Sequence, residues 1–260
     1  MRIARFTTGD DPRFGIVEGE SGQPQTLAVI AGDPLYTPIQ FTGERVPLDD
    51  ARLLAPVIPR SKVIGVGRNY AAHAAELGNE VPKEPLVFLK PNTSVIGPGD
   101  PIQLPAQSQD VHYEGELAVV IGRVCRDVPL DRVEEVILGY TVANDVTARD
   151  LQKRDGQWWR AKGFDTFCPL GPYLVTGLDA ADLQIDTRLD GVSVQSGRTS
   201  QMIFSIPTLI QHISAAMTLL PGDVILTGTP EGVGPFCEGQ RVDVEIEGIG
   251  VLSNPAIRRR

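Results

Sequence analysis

Apolar residues in this chain come in short runs, many of them broken by glycine or proline. Residues 62–67 (KVIGVG), 86–91 (LVFLKP), 117–121 (LAVVI) and 223–226 (DVIL) have the length and β-branched content of strands. The unbroken apolar character of 117–121 predicts a strand buried on both faces. Residues 241–254 (RVDVEIEGIGVLSN) read as a hairpin, and 131–140 mixes helical spacing with a strand end. Helical spacing is clear in 207–220 (PTLIQHISAAMTLL). A shorter helix is predicted within 69–78 (NYAAHAAELG), stopped by Gly78, before a loop at 79–85 (NEVPKEP). Another helix opens 147–165 and gives way to a long loop. Strands and helices alternate too irregularly for a doubly wound sheet. The expected fold class is therefore α+β with a β-dominated core. Residues 1–55 are expected to form a small β-rich N-terminal region and 56–260 the main region, joined through 53–62.

Composition narrows the class. With 260 residues, 42% hydrophobic and 22% charged, the chain can bury the core of one large or two modest domains. A net charge of −9 argues against nucleic acid as a partner but leaves room for a small anionic substrate. No apolar run reaches the ~18–20 residues of a membrane span. The N-terminal MRIARFTTGDD has no apolar signal core, so no membrane partner and a cytoplasmic location are expected. The three cysteines, Cys125, Cys168 and Cys237, form no CxxC pair, which argues against a disulfide frame or a zinc site. The RRR terminus is expected to be a solvated tail.

Glu114 and Glu116 stand two apart in VHYEGELAVVIG. On a strand, that spacing puts both carboxylates on one face. Such pairs most often mark a solvated sheet face, but the apolar run that follows points to burial. Two buried carboxylates repel each other and lose water unless a cation sits between them. Asp145, where the apolar run at 140–143 meets a polar turn, supplies a third acid. Three carboxylates from two strands suit a hard divalent ion, Mg²⁺ or Mn²⁺. Spacing alone leaves open whether the two strands pair.

Other groups carry chemistry at recognisable spacings. His73 and Glu76, three apart on the short helix, share a face; a Glu on one imidazole nitrogen leaves the other free to take a proton. Such a pair is also a common surface hydrogen bond. Lys162 lies among Trp158, Trp159, Phe164 and Phe167, an apolar setting in which an ammonium can stabilise an enolate or bind a carboxylate. Arg149 and Gln152 point together, on an exposed face or toward the Asp145 site. The turn GTPEGVGP offers the Thr229 hydroxyl and free N–H groups to a carboxylate, or is simply a tight turn. It lacks the Gly-Lys-Ser/Thr ending of a Walker loop, and no Gly-x-Ser-x-Gly elbow occurs.

From Ser61 onward, the ordered blocks VGRNYAAHAAELG, FLKPNTSVIGPGDPI, HYEGELAVVIG, GYTVANDVTARDLQ, WWRAKGFDTFCPLGP, MIFSIPTLI, PGDVILTGTPEGVGP and VEIEGIG resemble the fumarylacetoacetate hydrolase family, its compact bacterial and acylpyruvase-type members in particular. Residues 1–60 match only a loose N-terminal region. On this resemblance neither the long SH3-like domain of the animal enzyme nor the duplication of the decarboxylase–isomerase is expected. The resemblance implies a mixed β-sandwich roll, a homodimer, and a Mg²⁺ or Mn²⁺ ion held by Glu114, Glu116 and Asp145. It places the lid pair on His73 and Glu76, the active-site lysine and glutamine on Lys162 and Gln152, and substrate binding on Thr229, with Arg68 and Asn69 at the lid entrance.

On that basis the expected substrate is a 2-oxo or 2,4-dioxo acid. The expected reaction is hydrolytic C–C cleavage through a pyruvate enolate, with His73 activating water. The same enolate chemistry serves an isomerase of 2-hydroxyhepta-2,4-diene-1,7-dioate or a decarboxylase of an oxaloacetate-like acid. A scaffold that binds a metal and a dicarboxylate without turnover is a non-enzymatic alternative.

Overall fold

The computed structural model describes residues 1–19, 22–76, 78 and 80–259. Asn79 of the expected loop and Arg260 of the basic tail lie outside the described residues. Strands dominate the fold, with short helices between them, as expected for an α+β chain.

The main sheet has 12 strands. Its central pair is Gly115–Ile121 with Ile137–Asn144, antiparallel, in a register that sets Glu116 opposite Ala143. Val224–Leu226 flanks the first of these strands and Cys168–Val175 the second. Val63–Gly67 pairs with Val224–Leu226 in parallel and carries Leu86–Lys90 at the sheet's edge. At the opposite side, Arg2–Thr7 pairs with Cys168–Val175 and is followed by Arg13–Glu18, Thr26–Ile30 and Phe41–Pro47. The N-terminal strands thus continue the same sheet through main-chain hydrogen bonds.

Both faces of the central strands are covered. Leu117, Val119 and Ile121 pack into one apolar cluster with Ile185, Val242, Val244 and Leu252. Ala118 and Val120 point the other way, to Ala143, Leu170, Val224 and Leu226. Double-sided burial is why this segment is apolar at every position instead of alternating. Residues of the first cluster come from a five-stranded sheet of Val192–Arg198, Gln184–Leu189, Arg241–Ile246, Gly250–Arg258 and Ile102–Leu104. A third, small sheet joins Thr147–Ala148, Val111–Tyr113 and Gly234–Pro235 near the ends of the central strands.

The helices follow local signals. Ile206–Ala216 is capped by Ser205, whose hydroxyl accepts from the Thr208 N–H, and it buries Ile206, Leu209, Ile210 and Ile213. Ala71–Glu76 is short and buries His73 and Ala74. Arg149–Asp155 ends at Gly156 in a left-handed conformation. Where a loop was expected beyond it, a further helix forms at Trp159–Lys162. Four residues are too few to show a helical period, and this turn buries Ala161 and Lys162 against the main fold.

Candidate active site

The strand ends of the central pair converge on one buried cluster. Glu114 immediately precedes its strand, Glu116 lies within it, and Asp145 follows the last residue of the partner strand. The Asp145 N–H donates to the Glu114 carbonyl at 2.8 Å, which ties the two ends together. One carboxylate oxygen from each of Glu114, Glu116 and Asp145 lies within 4.8 Å of the others. The strands pair, as the three-acid arrangement requires, and all three side chains are buried.

Cations surround two of the three acids. Lys162 Nζ donates to Glu114 Oε2 at 2.6 Å and to Asp145 Oδ2 at 2.7 Å. Arg149 Nη2 donates to Glu114 Oε1 at 2.5 Å, and Lys90 Nζ to Asp145 Oδ1 at 2.5 Å. Among the described residues, Glu116 receives only the Gly228 N–H, at 2.7 Å, and has no ion-pair partner. The electrostatics follow this division. Burial pushes the Glu114 carboxyl up, but Lys162, then Arg149 and His73, outweigh it and hold the group well below the usual range. Burial, followed by the neighbouring Asp145 and Glu114 charges, drives Glu116 well above it. Glu116 is the acid that lacks a cation. Three close, buried, oxygen-bearing side chains, one without a positive partner, fit a hard divalent ion.

His73 faces the same cavity. Its Nδ1 lies 3.4 Å from Glu76 Oε2, and the Glu76 carboxylate also accepts the Gly232 N–H at 3.1 Å. Burial lowers the imidazole pKa below its ordinary value, ahead of the opposing pull of Glu114 and Glu76. Burial therefore favours the neutral ring. With Nδ1 directed at a carboxylate, Nε2 is the nitrogen free to accept a proton.

Glu114, Glu116, Arg149, Lys162, His73 and Glu76 line one cavity of about 390 Å³, together with Val66, Gly67, Arg68, Gln152, Lys153, Trp158 and Thr229. Gln152 accepts from Arg149 Nη1 at 2.6 Å, so their spacing does bring the pair together at the site. The Thr229 hydroxyl is already engaged: it donates to the Gly115 carbonyl at 2.9 Å and accepts from Gln195 Nε2 at 2.8 Å. Asn69 sits behind the wall. Its amide donates to the carbonyls of Phe204 and Thr227 and accepts the Phe204 N–H, holding the residues before the short helix onto the fold. Gly228, with φ of 101°, passes so close that a Cβ there would lie 2.7 Å from Asn69 Cβ. Only glycine suits that turn.

Two residues of the site escaped the sequence reading. Lys90 ends an apolar run before proline and reads as a solvated strand terminus, yet it is 1% exposed and bonded to Asp145. Gln195 sits in the polar run VSVQSG, which carries no signal at all. It is buried, accepts the Gly115 N–H at 3.0 Å and donates to Thr229 and to the Pro230 carbonyl.

Comparison with known proteins agrees with this geometry. The family description "Fumarylacetoacetate (FAA) hydrolase C-terminal" matches residues 62–257, and "Rv2993c-like, N-terminal" matches residues 1–56. Protein Rv2993c of Mycobacterium tuberculosis is 54% identical over 264 residues, covering 100% of this chain and 99% of that protein. A crystal structure named 5-carboxymethyl-2-hydroxymuconate delta-isomerase, from Mycobacterium smegmatis, is 54% identical and superposes with a TM-score of 0.92 over 100% of both chains. The mitochondrial oxaloacetate tautomerase Fahd2a of Rattus norvegicus is 46% identical over 287 residues, covering 99% of this chain and 92% of that protein. With a buried acidic cluster at the ends of its central strands and this likeness along its whole length, the chain belongs to the fumarylacetoacetate hydrolase family.

Proposed function

We propose that the protein is a divalent-metal-dependent enzyme that converts a 2-oxo acid to its enolate and returns the proton elsewhere, as an isomerase or tautomerase. The observation that carries this reading is that His73, paired with Glu76, lines one cavity with Glu114 and Glu116, whose carboxylates gather with that of buried Asp145. Glu114, Glu116 and Asp145 would hold Mg²⁺ or Mn²⁺, which when bound supplies Lewis-acid polarisation of a carbonyl. His73 Nε2 takes the proton from the carbon beside the ketone. Glu76 keeps the ring in that tautomer. Lys162, held by Glu114 and Asp145, presents its ammonium to the negative charge that develops on the enolate oxygen. Arg149, Gln152 and Thr229 position the substrate. Proton return to a different atom completes the isomerisation with no further reactant.

The names borne by the relatives, an isomerase and an oxaloacetate tautomerase, support proton transfer. A second reading, hydrolytic cleavage of a 2,4-dioxo acid of the acylpyruvate type, is favoured by the His73–Glu76 pair, since the same imidazole can activate water. One assay separates them. Enol-to-ketone conversion of oxaloacetate and pyruvate release from acetylpyruvate are followed with Mg²⁺, Mn²⁺ or EDTA. Metal-dependent tautomerisation without pyruvate release from acetylpyruvate is the expected result. Metal-dependent pyruvate release from acetylpyruvate moves the protein to the hydrolases, and no conversion of either substrate rejects both. A homodimer belongs to the same proposal and is checked by light scattering. Among the described residues, no helix is long and apolar enough to cross a membrane.

A further inference from the structure

The small third sheet comes up against the acids from behind the cavity wall. Its middle strand, Val111–Tyr113, leads straight into Glu114, and Thr147–Ala148 beside it leads straight into Arg149. The register sets Val111 opposite Ala148 and His112 opposite Thr147, and the Arg149 N–H donates to the Asp110 carbonyl at 2.7 Å. Strand pairing therefore carries His112 to the Arg149–Glu114 ion pair, and both of those charges act on its ring. His112 is not among the residues that line the cavity.

A count of hydrogen bonds leaves one donor and one acceptor over at this place. Arg149 is 3% exposed and has three nitrogens to satisfy. Nη2 donates to Glu114 and Nη1 to Gln152. Nε is buried and has no hydrogen-bond partner among the described residues. The His112 side chain is 14% exposed, and its Nε2 lies 2.8 Å from Asp110 Oδ1. A carboxylate only accepts, so Nε2 carries the proton. Burial, then the Arg149 charge, lower the His112 pKa and favour the neutral ring, in which Nδ1 is a lone-pair acceptor. Nδ1 too is buried without a partner among the described residues. Leaving either group unpaired out of water is costly. One buried water answers both, accepting from Nε and donating to Nδ1.

We propose that His112, held by Asp110, is a positioning residue that fixes the Arg149 guanidinium through a single buried water. Arg149 is then held on all three nitrogens, with Nη2 on Glu114 and Nη1 on Gln152 at the substrate side. The kinetic consequence rests on the 2-oxo acid reading above, in which Arg149 and Gln152 position the substrate; the bonding itself does not.

Two variants isolate the bond. His112→Phe keeps a ring and drops both nitrogens. His112→Asn places an amide oxygen where Nδ1 stood but loses Asp110 and leaves a smaller side chain. Both are read first in the nitrogen–proton spectrum of the full-length, Mg²⁺-loaded protein, with the Arg149 Nε–H signal assigned by its loss in Arg149→Lys. That proton is expected to exchange slowly in the unaltered protein and in His112→Asn, and to shift or be lost to exchange in His112→Phe. The His112 nitrogen shifts are expected to show Nε2 protonated and Nδ1 bare. KM for oxaloacetate rises about three- to tenfold in His112→Phe, the worth of one hydrogen bond, with kcat little changed, and returns most of the way in His112→Asn. Melting temperature follows the other order, because asparagine fills the site less well than phenylalanine. A purely structural role would move KM and melting temperature together. An Arg149 Nε–H signal unchanged in His112→Phe, or a proton on Nδ1, overturns the proposal. If oxaloacetate is not turned over at all, the 2-oxo acid reading loses its support, and the spectrum still decides whether His112 holds Arg149.

Discussion

At the floor of the cavity both oxygens of Glu114 and of Asp145 have a named partner, and so does one oxygen of Glu116. Lys162 bridges Glu114 and Asp145, Arg149 and Lys90 take their second oxygens, and Gly228 caps Glu116. At the mouth, a few residues away, Lys153 stands in solvent and Arg68 rests on a half-buried Trp158. The floor is fixed by strand register and by charges that cannot be left alone out of water. The mouth is fixed by stacking and by a residue on a short helix. The first arrangement tolerates no single loss, because removing one partner strands another. The second can change side chain by side chain without reaching the sheet. Chemistry common to a family belongs on the first, and substrate choice on the second.

Lys162→Met breaks this contrast most severely. It leaves Glu114 and Asp145 each short of a buried cation, which costs about 3–5 kcal/mol in the metal-free protein. Turnover falls about 10²–10³-fold, as for loss of one charge-stabilising donor. The melting temperature drops sharply in EDTA and recovers in part with Mn²⁺, since an added cation answers the same carboxylates. An equal drop with and without metal would mean that the acids do not share a cation site.

His73→Ala follows, with a loss of about 10²-fold or more in turnover. The pH profile of the unaltered enzyme sharpens the point. Burial lowers the His73 pKa below the ordinary 6.5, so the basic imidazole persists into mildly acidic solution. The acid limb of the rate profile is expected below pH 6.5 and is absent from the residual activity of His73→Ala. The stability linkage has the matching sign. The unfolded chain binds a proton at this histidine more readily than the folded one. The stability due to a neutral His73 is therefore complete above pH 6.5 and is lost as pH falls through the unfolded value toward the folded one.

A smaller effect is expected at Gln195, which joins the floor to the turn that carries Thr229. Gln195→Leu leaves the Gly115 N–H and the Pro230 carbonyl unpaired inside the fold, a cost of about 1–3 kcal/mol. Its kinetic signature is a raised KM with a modest change in kcat, because Thr229 shifts while the acids stay in register. Gln195→Glu restores the acceptor to Gly115 but not the donor to Thr229, and recovers stability more than KM.

These residues also show what the chain discloses before it folds. The spacing of Glu114 and Glu116 ahead of an unbroken apolar run was enough to suggest buried carboxylates, but not their placement: Glu114 lies between Val111–Tyr113 and Gly115–Ile121, outside the strand that holds Glu116, so a shared strand face is not what brings them together. Asp145 could be nominated from its place at a strand end, but its meeting with Glu114 depends on the pairing of two strands whose apolar runs could pair in several registers. His73 and Glu76, and Arg149 and Gln152, were legible from their local spacing. Lys90 was not, since a lysine at a strand terminus is written the same way whether it enters water or the core. The helix at Trp159–Lys162 is too short for a period. The continuation of the N-terminal strands into the main sheet is a contact between Arg2–Thr7 and Cys168–Val175, distant in sequence and marked by no residue type.

The smallest expected effect separates two adjacent tryptophans that read alike in the chain. Trp158 lines the cavity against Gly67, Phe88 and Arg68, whereas Trp159 is 68% exposed and points away from it. Trp159→Ala is expected to change stability by less than about 0.5 kcal/mol and to leave KM and kcat unaltered. Trp158→Ala removes the surface on which Arg68 lies. Its effect is expected in KM, with kcat largely retained because the floor is untouched. Equal responses of the two variants would place the boundary of the site elsewhere. A fall in kcat alone for Trp158→Ala would show that the mouth bears on the chemistry as well as on the choice of substrate. The difference between the tryptophans comes from the one-residue turn of the chain between them, which sends one ring over Gly67 and the other into water.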